Sequence, residues 1–426
     1  MWTLIKAQRI IFLPLMLFLL GNNAFAQDLN LADLIEEALK NNPDILASHA
    51  KIEAAGYRIP QSKNLPDPMV MVGYQNEGFT KYTYGEEQGS QWMFSASQEF
   101  LFPGKLSLKG SMAESDQESL KAMHEFLKLK TSYRVKELYY DLFLAHKNID
   151  LLEDKGDVFV RIENMTLARY ATGKAMQEEV LMTQTEKYML LEKEEMLRQK
   201  ILSLEAMLRA VLGRKGSASM GVPVEPVSQP YLFDADQAVS TALDNSSEIK
   251  SKNKMLEAAG YKVLMAEKEY YPDFTINTGY ANRAGGFMDM WSASVTINIP
   301  LFYKTKQEPA IREAKASLNQ AEQELEATKL MITAAVRDNL SMVRSSEKLM
   351  DLYKNGLIPK NTQSVESAIS GYSTGGTEII TVISLSKTLL DYEILYWQQF
   401  VEREKAVARL EAITEVPSPM PGGNEK

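Results

Sequence analysis

The chain has 426 residues, 47 basic and 56 acidic side chains, a net charge of −9, and no cysteine. Disulfides and a lipid anchor on cysteine are thereby excluded, and the acidic balance is a poor match for nucleic acid or an anionic membrane surface.

Residues 1–26 read as an export signal: Lys6 and Arg9 precede an apolar run from Ile10 to Leu20, and Ala24-Phe25-Ala26 forms a small-x-small cleavage site. The apolar run is too short for a membrane-spanning helix, and no later stretch of about twenty apolar residues exists. An uncleaved anchor is the alternative for this segment. Losing Lys6 and Arg9 from the 47 basic residues leaves 45 against 56 acidic ones, a mature charge of −11.

The rest of the chain is written twice. Glu53-Ala54-Ala55-Gly56-Tyr57 returns as Glu257-Ala258-Ala259-Gly260-Tyr261, and Leu65-Pro66-Asp67 with Gly73-Tyr74 returns as Tyr271-Pro272-Asp273 with Gly279-Tyr280. Tyr170-Ala171-Thr172-Gly173 returns as Tyr372-Ser373-Thr374-Gly375. A period of about two hundred residues is a duplicated half-domain rather than a solenoid repeat. The halves span 27–213 and 231–414, joined by a Pro/Gly/Ser-rich linker over 214–230; the Pro- and Gly-rich tail 415–426 is expected to be disordered. Each half is expected to run short helix, two strands, very long helix, tight turn, long helix.

The first strand pair covers Val70–Tyr74 and Trp92–Phe100, the second Phe274–Tyr280 and Trp291–Ile299. Trp291, Ala293, Val295, Ile297 and Ile299 alternate with Ser292, Ser294, Thr296 and Asn298. The clearer runs have the length of a tilted bilayer-crossing strand, and aromatic residues gather at their ends, Trp and Tyr near the loops and Phe and Tyr near the helices, as in the girdles of membrane barrels. Hairpins half-buried in a soluble core would show the same alternation. Four strands cannot close a barrel, and an open edge cannot sit in lipid, so a membrane reading requires oligomerisation.

The long helices are expected over 104–169 and 306–371, roughly 100 Å each. Val135, Leu138, Leu142, Ala145, Ile149 and Leu152, and then Ala314, Leu318, Ala321, Leu325, Thr328, Ile332 and Ala335, recur at coiled-coil spacing. Pro359 is expected to kink the second. Returning helices are expected over 176–213 and 377–414. His49, His124 and His146 have no second histidine at ligand spacing, and no phosphate loop or nucleophile elbow appears. No enzyme, cofactor or metal centre is expected, and the methionines read as packing.

Signal, doubled halves, strand pairs and Tyr-x-x-Gly turns, in this order, resemble the outer-membrane efflux protein family, the TolC-like channels. Leu65-Pro66-Asp67-Pro68 and Phe102-Pro103-Gly104-Lys105 are similar to its heavy-metal efflux branch. The resemblance implies a mostly α fold with a small membrane β-barrel portion. Four strands per chain would contribute to a trimeric twelve-stranded barrel above a coiled-coil α-helical tube in the periplasm. It implies a passive exit duct of a tripartite efflux or type I secretion system. The implied partners are two further copies of the chain, outer-membrane lipid, a periplasmic adaptor and, through it, an inner-membrane pump.

The implied periplasmic tip, where the adaptor docks, is Tyr170, Thr172, Gly173, Lys174, Ala175, Tyr372, Thr374, Gly375, Gly376 and Thr377. Family members place an acid six residues after the tip glycine to help close the aperture. Glu179 matches, whereas Thr381 and, three residues on, Ser384 depart from the pattern. The implied gate is Glu178, Glu179, Tyr372, Glu378, Thr381 and Ser384; solvated helix-surface charges are the plainer reading of the glutamates. The competing overall reading is a soluble periplasmic coiled-coil adaptor or scaffold, which shares the helical hairpins but has no need of the strands. A diffusion porin would leave the helices unexplained.

Overall fold

The computed structural model describes residues 28–217, 219–228, 231 and 234–416. The expected signal segment and most of the tail lie outside the described residues. Each half contains two short helices where the sequence suggested one: α1 (Leu31–Asn41) and α2 (Pro43–Lys63), then α5 (Ala235–Asn245) and α6 (Ser247–Lys268). The break is a capping effect. Asn42 ends α1, and its side-chain oxygen accepts from the backbone N–H of Asp44 (2.9 Å) and Ile45 (3.2 Å), while Pro43 takes the first position of α2, where its missing N–H costs nothing. Ser246 does the same for α6, accepting from Ile249 N at 3.2 Å.

The strands are β1 (Met69–Gln75), β2 (Gln91–Phe100), β3 (Phe274–Asn282) and β4 (Met290–Ile297). They form one antiparallel sheet in the order β1-β2-β3-β4, so the two half-domains meet at the β2–β3 seam. The register there pairs Phe94 with Tyr280 and Ala96 with Thr278. The apolar alternation read from sequence shares one face: Val72 lies opposite Phe94, Phe94 opposite Tyr280, and Tyr280 opposite Trp291. That face is open in the single chain, with Val70 75 % and Trp291 81 % exposed. β1 and β4 are both free edges. β4 is shorter than expected, and Ile299 lies beyond it.

From the sheet run α3 (Lys105–Ala171), its return α4 (Gln177–Leu212), α7 (Gln307–Leu352), α8 (Ile358–Thr374) and its return α9 (Ile379–Thr414). At 67 residues α3 extends about 100 Å. It packs on α4, on α6 and on α9, which welds the halves together. Val135, Leu138, Leu142, Ala145, Ile149 and Leu152 are all buried, as their spacing requires. In the second half Ala314, Leu325, Thr328 and Ile332 are buried, and Leu318, Ala321 and Ala335 half-buried. The second long helix is divided by one π turn, Tyr353–Leu357, which ends two residues before Pro359. Proline lacks the N–H for the bond to the carbonyl four residues back and would clash with it, so the backbone widens by one residue there.

The junction of sheet and helices is pinned by a charge. Lys105, only 1 % exposed, donates to Asp273 Oδ2 (2.9 Å) and to the Tyr271 carbonyl (3.2 Å), and Asp273 Oδ1 accepts from Phe102 N at 2.7 Å. Phe102 stacks on Tyr271 with centroids 4.5 Å apart. The two stretches that stood out in sequence, Phe102-Pro103-Gly104-Lys105 and Tyr271-Pro272-Asp273, thus meet across the half-domain boundary.

Candidate functional site at the helical tip

At the end far from the sheet, α3 turns into α4 and α8 into α9. Both turns use the same backbone closure. Gly173 (φ +70°) donates to Tyr170 O at 2.9 Å while Lys174 N donates to Arg169 O at 2.8 Å; Gly375 (φ +89°) donates to Tyr372 O at 3.1 Å while Gly376 N donates to Gly371 O at 2.9 Å. A left-handed residue at this position favours glycine, because it has no Cβ to clash. Thr172 and Thr374 cap their helices through hydroxyl bonds to Arg169 O and Gly371 O, both 3.0 Å.

The side chains part company from here. Tyr170 is 46 % exposed, whereas Tyr372 is 1 % exposed and among the largest fully buried side chains. Tyr372 sits in a cluster drawn from all four tip helices, with Phe159 and Ile162 of α3, Leu190 of α4, Ala368 of α8, and Ile379, Val382 and Ile383 of α9. Its hydroxyl donates to Glu179 Oε2 at 2.8 Å, with Thr166 Oγ1 at 3.3 Å as a second acceptor. The other oxygen of Glu179 accepts from the backbone N–H of Met176 at 3.2 Å and so closes the start of α4. One carboxylate therefore caps a helix of the first half and holds the tyrosine of the second.

Arg169 completes the cluster. Its guanidinium carbon lies 4.5 Å from the centre of the Tyr372 ring, one nitrogen donates to the Tyr372 carbonyl, and another donates to the Lys174 carbonyl at 3.1 Å. A cation over an aromatic face and against the carbonyls at a helix C-terminus is favourable on both counts. Burial and the neighbouring Glu179 carboxylate push the Tyr372 phenol above its ordinary value of 10.0, so it remains a donor at neutral pH.

Of the residues singled out in sequence, Tyr372 and Glu179 are brought into contact. Glu178, Glu378, Thr381 and Ser384 are exposed and lie outside this cluster. Lys174, Thr374, Gly375 and Gly376 are exposed around the two turns, with Ala175 and Thr377 half-buried. Sequence reasoning missed Arg169 and Thr166. The sign for Arg169 was present: it stands where the repeat has Gly371. Beside the tip, a cavity of about 440 Å³ is lined by Gln177, Glu178, Leu181, Met182, Thr185 and Glu186. Among the described residues no group of three or more His, Asp or Glu could hold a metal ion, and no helix is long and apolar enough to cross a membrane.

The family model described as outer membrane efflux protein matches residues 34–214 and 238–414. The chain is 19 % identical to the outer membrane protein TolC of Vibrio cholerae, over 85 % of each chain. It is 22 % identical to the cobalt-zinc-cadmium resistance protein CzcC of Cupriavidus metallidurans, over 69 % of each. Among solved structures, the outer membrane protein VceC of Vibrio cholerae superposes with a TM-score of 0.78 at 18 % identity, covering 91 % of this chain and 97 % of that one. With both halves matched, and with an antiparallel four-strand sheet and long helical hairpins in the order the repeat requires, this chain belongs to the outer membrane efflux protein family and is an outer-membrane exit channel.

Proposed function

We propose that three copies of this chain form the passive duct of a tripartite efflux or type I secretion system, and that the helical tip docks a periplasmic adaptor coupled to an inner-membrane pump. Each copy supplies four strands to a twelve-stranded barrel. The observation that carries the gated part of this reading is the contact between Tyr372 of one half and Arg169 and Glu179 of the other. A polar contact around a buried tyrosine, joining two helix tips, is lost as a unit when the hairpins separate. Tyr372 and Glu179 thus hold the tip closed, and Arg169 sets their geometry. Tyr170, Thr172, Lys174, Thr374 and Gly376 are exposed at the two turns, where an adaptor can reach them, and a cavity opens along the first turns of α4 at Gln177–Glu186.

The cargo is small molecules or metal ions. The name of the CzcC relative, cobalt-zinc-cadmium resistance protein, favours divalent cations as one class. An acidic chain that encloses a lumen concentrates cations by electrostatic focusing, in keeping with that cargo. The reading of a soluble periplasmic scaffold is disfavoured by the apolar strand face, which that role does not use. The test is reconstitution in planar bilayers with zinc or potassium as charge carrier. A small cation-selective conductance that rises when purified adaptor is added is expected; anion preference would overturn the acidic-lumen part, and indifference to adaptor the docking part.

A further inference from the structure

The two loops at the end of the sheet far from the helices are unequal. Residues 283–289 join β3 to β4, and the longer stretch 76–90 joins β1 to β2. The longer loop is closed on its own polar groups. Asn76 Oδ1 accepts from the backbone N–H and the hydroxyl of Thr83 at 2.9 and 3.0 Å, and its Nδ2 donates to the carbonyls of Gly78 (2.8 Å) and Lys81 (2.9 Å). Thr83 and Ser90 are buried, and Ser90 Oγ accepts from Glu77 N at 2.8 Å. A loop packed by its own side chains holds a fixed shape.

That shape leans to one side of the wall. Tyr74 and Trp92 end their strands on the apolar face that Val72, Phe94, Tyr280 and Trp291 share. Tyr82 stacks on Tyr74 with centroids 5.0 Å apart, and Tyr74 lies 5.2 Å from Trp92. Tyr84 lies 6.1 Å from Tyr82 and 6.4 Å from Tyr74, and its hydroxyl donates to Asn282, the residue opposite Trp92. Gly85 then meets the second loop. Gly85 and Gly285 both have positive φ, and a Cβ on Gly285 would strike the Gly85 carbonyl oxygen. The loop is thus drawn over the β2–β3 seam, away from the free edge of β1, and carries the apolar face past the ends of the strands.

We propose that Tyr74, Tyr82, Tyr84 and Trp92 form a seat for a sugar ring in the headgroup of an outer-leaflet glycolipid. This placement rests on the reading above, in which the sheet is barrel wall and the helices hang into the periplasm, so that these loops stand at the outer surface. The seat continues the lipid-facing strand face into the headgroup layer. What it presents there is flat aromatic rings bearing hydroxyls, with Tyr82 58 % exposed. A sugar ring matches that surface: its apolar C–H faces suit the electron-rich ring faces, and its hydroxyls suit the phenols and amides at their edges. The charges disfavour a plain anionic phospholipid. Residues 76–90 carry one lysine and three glutamates, Lys81 is paired with Glu86, and Arg283 of the second loop donates to Gln91 and Met290. The two cations of the loops are therefore already engaged.

Trp92 is a reporter inside the seat. Beyond the export signal the chain has two other tryptophans, Trp291 and Trp397, and Trp291→Phe with Trp397→Phe leaves Trp92 alone. The full mature protein, purified in mild detergent, is titrated with purified lipopolysaccharide and, separately, with phosphatidylglycerol. A saturable change in Trp92 emission is expected with lipopolysaccharide, with binding about tenfold weaker for phosphatidylglycerol. Tyr82→Ala is expected to weaken lipopolysaccharide binding about tenfold, and Tyr82→Phe, which keeps the stacking face, to retain most of it. Tyr57→Ala, on the exposed surface of α2, is expected to change nothing. Equal binding of the two lipids would reduce the cluster to a plain aromatic girdle and overturn the seat. Equal binding of the free oligosaccharide released from the same lipopolysaccharide would overturn the membrane source. Native mass and conductance are measured on each variant. A non-conducting monomer would count against the duct itself, whereas a conducting trimer without lipid preference would count against the seat alone.

Discussion

The two tip turns have the same backbone and opposite surfaces. Gly173 and Gly375 close their helices with the same pair of hydrogen bonds. Yet Tyr170 stands in solvent and Tyr372 is sealed in a core, Arg169 replaces Gly371, and Glu179 replaces Thr381. Duplication supplied the shape, and divergence at two positions, Arg169 against Gly371 and Glu179 against Thr381, supplied the partners that Tyr372 meets. Because the tyrosine comes from one half and the cation and carboxylate from the other, the latch exists only when the two hairpins are side by side.

The largest expected effect comes from removing the buried ring. Tyr372→Ala takes an aromatic out of a closed cluster, a loss of about 3–5 kcal/mol, and is expected to open the channel in bilayer recordings. Tyr170→Ala should change the same readout by no more than about 0.5 kcal/mol. Equal effects from the two would erase the distinction between the halves.

Arg169→Gly gives the first tip the residue that the second one has. Two hydrogen bonds and a cation–aromatic contact go, together about 2 kcal/mol, so open probability should rise on the order of thirtyfold. Arg169→Lys should recover little, because an ammonium cannot span both carbonyls as a guanidinium does. Full recovery by lysine would reduce the role of Arg169 to plain charge.

Smaller again are Tyr372→Phe and Glu179→Gln, each about 1–2 kcal/mol for one charge-assisted hydrogen bond. In a double-mutant cycle on open probability their effects should be non-additive, since one removes the donor and the other the acceptor's charge in the same bond. Alanine at Glu178, Glu378, Thr381 or Ser384 should leave gating within about 0.5 kcal/mol, and a large effect at any of them would move the gate away from Tyr372.

The least effect is expected from pH. Burial and the Glu179 carboxylate disfavour the phenolate, so the folded tip binds the Tyr372 proton more tightly than an unfolded chain does. The contribution of this proton to closure is complete below the ordinary value of 10.0 and is lost only as pH rises through the raised one. Conductance should show no Tyr372-dependent step between pH 7 and 9 when native protein and Tyr372→Phe are compared.

The sequence made the architecture legible because the architecture is periodic. Alternation placed Trp291, Val295 and Ile297 on one face, and three–four spacing placed Val135, Leu142 and Ile149 in the core. Local chemistry was partly legible. Pro359 announced an irregularity but not its form as a π turn, and Asn42 followed by Pro43, a cap and a first-turn proline, marked a break inside what was expected as one short helix. The latch could not be read in full, because Arg169 reaches Tyr372 across 203 positions and periodicity carries no information about which of two equivalent tyrosines is buried. Mismatches within an otherwise close repeat, Arg169 against Gly371 and Glu179 against Thr381, were the readable sign.

In the proposed function the duct is held shut by a contact only one of its two tips can make. Single-channel recording of Tyr372→Phe/Glu179→Gln beside Tyr170→Phe tests it most directly. A raised open probability is expected for the first and native behaviour for the second. Native conductance from both would contradict it.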